Sequence, residues 1–212
     1  MTKVAIGVLG GTHGHLEAVI DYLIPLLRTS DCQWDTWRGR GYSAANAMVL
    51  TAIETKDPPD YLWLLDADMA YPKDSLNRLL KWRVDIVGPT YRRRYPELGF
   101  ALVEYPLSSL VTPSIHSGAH SIHEWDAIPA GMMLIKMEVL RALKYPWFFD
   151  DPGARLEDFV TQDMNFCRSA RKAGFKVWCD YTLSRQVVHL ADGIPIPFDV
   201  GQPDSRRRDS HS

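Results

Sequence analysis

Residues 61–68 read Tyr-Leu-Trp-Leu-Leu-Asp-Ala-Asp, an apolar run that ends in two acids separated by one residue. An apolar run of this length, preceded by the break Asp57-Pro58-Pro59, predicts a buried strand. Such a strand delivers Asp66 and Asp68 to one edge of a sheet, where two carboxylates can hold a divalent cation. Because this pair also arises by chance in an aspartate-rich chain, its meaning depends on the surrounding segments.

Predicted strands and helices alternate around this stretch. Strands are expected at 4–9, 32–37, 61–66, 84–87, 127–136, 175–179 and 186–190. Helices are expected from a glycine turn at 10–14 to about residue 28, and at 43–55, 73–82, 137–143 and 160–173, the last closed by Gly174. The alternation predicts an α/β fold with a mostly parallel central sheet and flanking helices, whose ligands lie beyond the carboxyl ends of the strands.

Composition narrows the class of protein. A chain of 212 residues with 46% apolar content can bury a real core, so we expect a single domain over residues 1–200 and a disordered tail over 201–212. A net charge of -2 gives no global case for nucleic acid or an anionic membrane. The three cysteines are far apart and the sequence contains no long apolar stretch, so we expect a reduced, cytoplasmic protein without a transmembrane segment.

Residues 89–126 are rich in Pro, Ser, His, Tyr and Arg and lack clear periodicity. A connection of this length predicts an acceptor-binding loop or lid. Five of its side chains could be mistaken for a metal cluster: His116, His120, His123, Glu124 and Asp126. A polar lid is favoured over a second metal site. The basic and aromatic run at 91–95 fits either contact with an anionic acceptor or a phosphate, or a solvated loop.

Five segments, in this order, resemble the GT-A glycosyltransferases, specifically their small family-2-like members. They are Gly10-Gly11-Thr12, Ala44-Ala45-Asn46, Asp66-Ala67-Asp68, residues 128–135, and residues 162–178 continuing to His189. The resemblance covers about residues 3–190. It implies the GT-A fold of nucleotide-diphospho-sugar transferases and a hexosyltransferase-type enzyme. Such an enzyme moves a sugar from a UDP- or GDP-sugar to an acceptor hydroxyl.

The resemblance also implies a metal site. A hard cation, Mn²⁺ or Mg²⁺, offsets the charge of the departing diphosphate. Asp68 is then the carboxylate ligand, while Asp66 and Ala67 lie on the nucleotide-sugar side. His189 completes the metal site, and an imidazole favours Mn²⁺ over Mg²⁺. The alternative for His189 is a hydrogen-bonded core residue of an apolar strand.

Asp163 is implied as the base that deprotonates the acceptor in an inverting reaction. The family places a Glu-Asp pair here, whereas this chain has Gln162 before the aspartate. The alternative is an acid that stabilises a helix N-terminus by about 0.3–1 kcal/mol. Glu157 and Asp158 are the competing carboxylates.

Further roles follow from the same resemblance. Those on the nucleotide-sugar side fall to Thr12 and Asp35 at the base, Arg40 and Asn46 at the diphosphate or ribose, and Gly131. Turn threonines and helix-start asparagines also serve in capping, and Gly131 either leaves room for the sugar or acceptor or permits a bulge. Trp125 and Asp126 are expected to shape the acceptor pocket.

Three other functions fit parts of the sequence. A haloacid-dehalogenase-type phosphatase using Asp66 and Asp68 normally carries its motif on the first strand and has Thr or Val where this chain has Ala70. A dinucleotide-binding protein requires a glycine spacing that the first turn lacks. A non-catalytic nucleotide- or carbohydrate-binding module leaves Asp163 and His189 without a purpose. The sequence therefore favours a metal-dependent glycosyltransferase whose acceptor is a glycan, a protein, a lipid-linked sugar or a modified DNA base.

Overall fold

The computed structural model describes residues 2–10, 33–39, 41–91, 122–153, 160–191 and 194–196. At 33–39, 41–42, 191 and 194–196 only the backbone is described. The predicted helix at 14–28, residues 92–121 of the predicted lid and the predicted tail lie outside these ranges. The division into one domain and a tail stays a prediction.

A seven-stranded sheet forms the centre of the molecule, in the order β2-β1-β3-β7-β5-β8-β6. Its strands are β1 (Lys3–Leu9), β2 (Gln33–Gly39), β3 (Tyr61–Asp66), β5 (Ile86–Gly88), β6 (Ile122–Trp125), β7 (Met132–Lys136) and β8 (Val177–Asp180). Strands β7 and β6 run antiparallel to their neighbours, and the other five share one direction. The predicted mostly parallel sheet is thus observed, with two reversed strands.

Helices cover both faces of this sheet. They are α1 (Gly41–Glu54), α2 (Ser75–Trp82), α3 (Met137–Ala142), α4 (Gln162–Lys172) and α5 (Tyr181–Ser184). Alternate residues of β3 point to opposite faces: Leu62 and Leu64 pack in the core with α1, α3 and α4, while Trp63 and Leu65 pack in the core with α2 and α5. Burial on both faces explains why β3 reads as an unbroken apolar run.

A second sheet, in the order β10-β9-β4, stands beside the first. Its strands are β4 (Met69–Ala70), β9 (Val188–Ala191) and β10 (Ile194–Ile196). The chain enters β4 directly after Asp68, and β4 pairs with β9 so that Met69 lies opposite His189. This small sheet therefore brings residue 189 next to the end of β3.

The expectation of a loop throughout residues 89–126 is wrong at its end, where β6 pairs antiparallel with β8. Ile122 packs on the face of the sheet that α2 covers, and Trp125 packs on the face that α1 covers. His123 and Glu124 are exposed. A short edge strand that buries one residue on each face shows no alternating apolar pattern, so the sequence does not reveal it. Strands β4 and β10 and helix α5 were also not predicted, each being four residues or shorter.

Candidate active site

Asp66 and Asp68 lie where β3 ends, at the edge of the sheet that also holds the carboxyl ends of β1 and β5. The backbone here is fixed from both sides. The Asp66 N–H donates to the Gly131 carbonyl just before β7 at 2.9 Å, and the Ala67 N–H donates to the Leu9 carbonyl of β1 at 2.9 Å. The two carboxylates are thus carried by backbone held from both sides, and their side chains are only partly exposed.

The Asp68 carboxylate lies beside the His189 imidazole, two residues that the resemblance assigns to one metal site. Their Oδ2 and Nε2 atoms are 3.2 Å apart, and the two side chains are 18% and 13% exposed. The backbone keeps them in register, because the Leu190 N–H donates to the Asp68 carbonyl at 2.7 Å. An acid and an imidazole 121 positions apart in the chain are therefore joined by the pairing of β4 with β9.

The chemistry of this pair fits a divalent cation such as Mn²⁺. Ligands at about 2.1 Å in adjacent octahedral positions lie about 3 Å apart, close to the observed separation. Among the residues with described side chains, no three His, Cys, Asp or Glu form a group able to hold a metal ion. Two protein ligands suit a cation that takes its other ligands from substrate phosphates and water.

Two buried tyrosines, whose part in the site the sequence does not reveal, contact the backbone of Asp66 and Gly131. The Tyr71 hydroxyl lies 2.6 Å from the Asp66 carbonyl oxygen and 2.8 Å from that of Gly131. The Tyr91 hydroxyl accepts the Gly131 N–H at 3.0 Å. The pKa of each tyrosine lies well above its ordinary value. Burial is the main cause, and the charge of Asp66 is the next, so both hydroxyls stay protonated at neutral pH.

Gly131 lies at the centre of this network, just before β7. A Cβ at this position would stand 2.2 Å from the Tyr91 hydroxyl and 2.6 Å from the Asp66 Oδ2. The space over this glycine is therefore taken by the chain's own atoms, which favours close packing as the reason for a glycine here.

Asp163 lies in the first turn of α4, and two groups hold one of its oxygens. The Thr161 hydroxyl donates to Oδ1, and so does the Met164 N–H at 3.0 Å. The negative charge of Asp163 is the third cause of the raised pKa of Tyr91, after burial and the charge of Asp66. The neighbouring Gln162 is held through its backbone N–H, which donates to Asp150 Oδ1 at 3.0 Å.

Asn46, predicted on the nucleotide side, is buried and bonded to backbone. Its Oδ1 accepts the N–H groups of Trp147 and Phe148 at 2.9 and 3.1 Å, and its Nδ2 donates to the Phe148 carbonyl at 2.6 Å. These bonds tie α1 to the segment after α3. They give Asn46 a structural role, and its contact with a nucleotide stays a prediction.

The predicted acceptor residues lie toward the other end of α4. Asp126 forms an ion pair with Arg171 at 2.8 Å, and the Arg171 side chain also donates to the Trp125 carbonyl. Eight residues of helix, about 12 Å, separate Arg171 from Asp163. These contacts do not place Asp126 beside Asp163, so the acceptor role stays a prediction.

Other predicted residues fall outside the described side chains. Asp35 lies in β2, of which only the backbone is described. Thr12, Arg40, His116, His120, Glu157 and Asp158 lie outside the described ranges altogether. His123, in β6, packs its ring against Tyr181 with centroids 4.9 Å apart.

No protein-family model matches the chain, and no curated protein sequence matches it. Solved structures do resemble it. The structure of A197 from STIV is 17% identical, with a TM-score of 0.57 and full coverage of both chains. GalNAc-T7 with UDP, GalNAc and Mn²⁺ is 12% identical, with a TM-score of 0.50 over 85% of this chain and 42% of that one.

A mutant Drosophila β-1,4-galactosyltransferase 7, in complex with manganese, UDP-Gal and xylobiose, is 12% identical over 100% of this chain and 76% of that one. Its TM-score is 0.48. Identities at this level show fold alone. The chain has the α/β fold of nucleotide-sugar transferases, as the sequence predicted, with a central sheet flanked by helices.

Proposed function

We propose that the chain is a metal-dependent, family-2-like GT-A glycosyltransferase that moves a hexose from a UDP- or GDP-sugar to an acceptor hydroxyl, with inversion. The observation that carries this proposal is the pair of Asp68 and His189, 3.2 Å apart at the carboxyl edge of the sheet. A carboxylate and an imidazole at a site of this fold suit Mn²⁺ bound together with a diphosphate.

The metal, when bound, offsets the negative charge that builds up on the departing diphosphate. Asp68 and His189 would hold it. Asp66, whose Oδ2 lies 2.6 Å from the point where a Cβ of residue 131 would stand, is the proposed partner of the ribose and the sugar. UDP is the first nucleotide to test, because the structure of GalNAc-T7, which shares the fold, contains UDP and Mn²⁺. Thr12, Asp35 and Arg40 remain predicted contacts of the nucleotide.

Asp163 is the proposed base. As the acceptor oxygen bonds to the anomeric carbon, the bond from that carbon to the diphosphate breaks and the acceptor proton passes to the Asp163 carboxylate. Thr161 and Met164 hold Oδ1, and within the described part of the chain the hydrogen bonds to this carboxylate all end on that oxygen. Oδ2 is thus the atom proposed to take the proton.

The acceptor class stays open among a glycan, a protein, a lipid-linked sugar and a modified DNA base. Trp125 and Asp126 are kept as proposed acceptor residues on the strength of the sequence alone. No helix in the described part of the chain is long and apolar enough to cross a membrane. A cytoplasmic location remains part of the proposal.

Thermal unfolding with a panel of nucleotide sugars, with and without Mn²⁺, tests the proposal. We expect one nucleotide sugar to raise the melting temperature only with Mn²⁺, since a ligand at 100 times its Kd stabilises by about 2.7 kcal/mol. A panel without any metal-dependent shift would contradict the proposal. Binding without sugar transfer to any acceptor class would favour the non-catalytic module instead.

A further inference from the structure

Tyr91 lies three residues after β5 and is only 5% exposed. Its ring meets the imidazole of His189 edge to face, with centroids 5.8 Å apart and planes at 72°. Aromatic rings prefer this arrangement, and such a contact limits the positions that the imidazole can take. The ring of Tyr91 therefore contacts His189, one of the two proposed metal ligands.

The hydroxyl of Tyr91 acts on a different part of the site. It accepts the Gly131 N–H at 3.0 Å, and the Gly131 carbonyl in turn accepts the Asp66 N–H at 2.9 Å. The same hydroxyl and the Asp66 Oδ2 both lie within 2.6 Å of the point where a Cβ of residue 131 would stand. One buried side chain thus contacts the metal pair through its ring and the Asp66 backbone through its hydroxyl.

We infer that Tyr91 is a positioning residue that couples the metal pair to the sugar-side carboxylate. Its ring orients His189 toward Asp68, and its hydroxyl fixes Gly131 and through it Asp66. This inference rests on the proposed function. It adds a residue that acts through others, since Tyr91 is assigned no contact with metal or substrate.

The two parts of this role can be separated by substitution. Tyr91→Phe keeps the ring against His189 but leaves the Gly131 N–H without its acceptor. Tyr91→Leu removes both the aromatic ring and the hydroxyl. The matched control is Tyr71→Phe, because Tyr71 is a second buried tyrosine whose hydroxyl contacts the Asp66 and Gly131 carbonyl oxygens.

Calorimetric titration of Mn²⁺ into protein with UDP, alongside steady-state transfer kinetics, tests the inference. Mutation of a residue that orients a metal ligand typically lowers metal affinity or activity by about 10–100-fold. We therefore expect Tyr91→Leu to weaken Mn²⁺ binding by about that factor. Tyr91→Phe should keep Mn²⁺ affinity within about twofold and lower kcat about tenfold. Tyr71→Phe should bind Mn²⁺ like the wild type.

Wild-type Mn²⁺ affinity in Tyr91→Leu would overturn the role of the ring, and wild-type kcat in Tyr91→Phe would overturn the role of the hydroxyl. Equal loss of Mn²⁺ affinity in Tyr71→Phe would assign the effect to general loosening and overturn the inference. Urea unfolding identifies a variant that does not fold; if this is Tyr91→Leu, Tyr91→Met, which also lacks the ring and the hydroxyl, takes its place in the Mn²⁺ titration. If the wild type binds no Mn²⁺ with UDP, it is the proposed function that fails.

Discussion

Two groups at the start of α4 hold the Asp163 carboxylate. Its Oδ1 accepts a side-chain hydroxyl from Thr161 and a backbone N–H from Met164, while its charge acts on the buried Tyr91 of the site. An acid that only stabilised the end of α4 would contribute about 0.3–1 kcal/mol and leave catalysis untouched. The two roles therefore predict different consequences of the same substitution.

Asp163→Asn should lower the rate of transfer by about 10²–10⁴-fold, the usual effect of losing a positioned general base. Binding of the nucleotide sugar should barely change, because the proposed metal and diphosphate contacts belong to Asp68 and His189. Steady-state kinetics and donor titration measure the two effects separately. Nearly full activity in this variant would remove Asp163 as the base. A product of retained configuration would instead overturn the inverting mechanism.

Thr161→Val should lower kcat about tenfold while leaving KM for the donor unchanged. The variant has nearly the same shape but lacks the hydroxyl that orients Asp163, and a hydrogen bond to a charged group contributes about 1.5 kcal/mol or more, close to a factor of ten in rate. Thr161→Ser is the matched control and should keep wild-type kcat. If Thr161→Ser lost as much activity as Thr161→Val, the hydroxyl would not be the cause.

Asn46 ties helix α1 to the segment after α3. Asn46 is buried on this helix, and its carboxamide makes three hydrogen bonds to the backbone of Trp147 and Phe148. Residues 143–153, the described segment that follows α3, contain no named strand or helix to satisfy the backbone, so this asparagine serves as its partner. The consequence is a test between the structural and the nucleotide-binding role of Asn46.

Asn46→Ala should reduce the free energy of unfolding by about 2–6 kcal/mol, because two buried N–H groups lose their acceptor at about 1–3 kcal/mol each. Donor affinity of the folded variant should stay close to that of the wild type. Urea unfolding and UDP titration measure these quantities. Thr51→Ala, at an exposed hydroxyl of the same helix, is the control and should change stability by less than about 0.5 kcal/mol. Unchanged stability with lost donor affinity would return Asn46 to the nucleotide.

The sequence predicts the longer elements of this fold, and it predicts that the candidate site residues Asp66 and Asp68 lie at the end of a strand. The apolar run at β3 and the glycine that ends α4 are strong local signals, and Gly174 indeed has a φ of +92°. The short strand β4 has no such signal, since two residues cannot show a period. The meeting of Asp68 with His189 could be expected from the resemblance alone, because only the pairing of β4 with β9 brings them together.

The network around Gly131 illustrates what a single sequence cannot show. Tyr91 follows a predicted strand at the correct edge, yet nothing local distinguishes it from the other aromatic residues of that segment. Its role comes from atoms of Gly131, Asp66 and His189, which are distant in the chain and converge only in the folded molecule. Packing between sequence-distant residues carries the information that the pattern lacks.

The molecule buries two thiols in the core on one face of the sheet. Burial raises the pKa of Cys167 and that of Cys179 from 9.0 to about 12. A folded-state pKa above the unfolded one means that the contribution to stability is complete below pH 9.0 and is lost as the pH rises toward 12. The two cysteines thus favour the folded state least in strong alkali.

The free energy of unfolding should therefore fall as pH rises above about 9, by up to about 1.4 kcal/mol per pH unit for each buried thiol. Cys167→Ala should show a shallower fall, although its stability at pH 8 is lower because of the lost packing. Urea unfolding at pH 8, 9 and 10 gives both slopes. Identical slopes for the wild type and the variant would show that Cys167 is not protected from ionisation as its burial requires.

The proposed metal pair is tested most directly by calorimetric titration of UDP in the presence and absence of Mn²⁺, for the wild type, Asp68→Asn and His189→Ala. Asp74→Asn is the control, because Asp74 is an exposed partner of Arg78 on α2. We expect the wild type and Asp74→Asn to bind UDP only with Mn²⁺, His189→Ala to bind more weakly, and Asp68→Asn to lose the metal-dependent binding while keeping its fold. Metal-dependent binding of UDP that is unchanged in Asp68→Asn would contradict the assignment of the site.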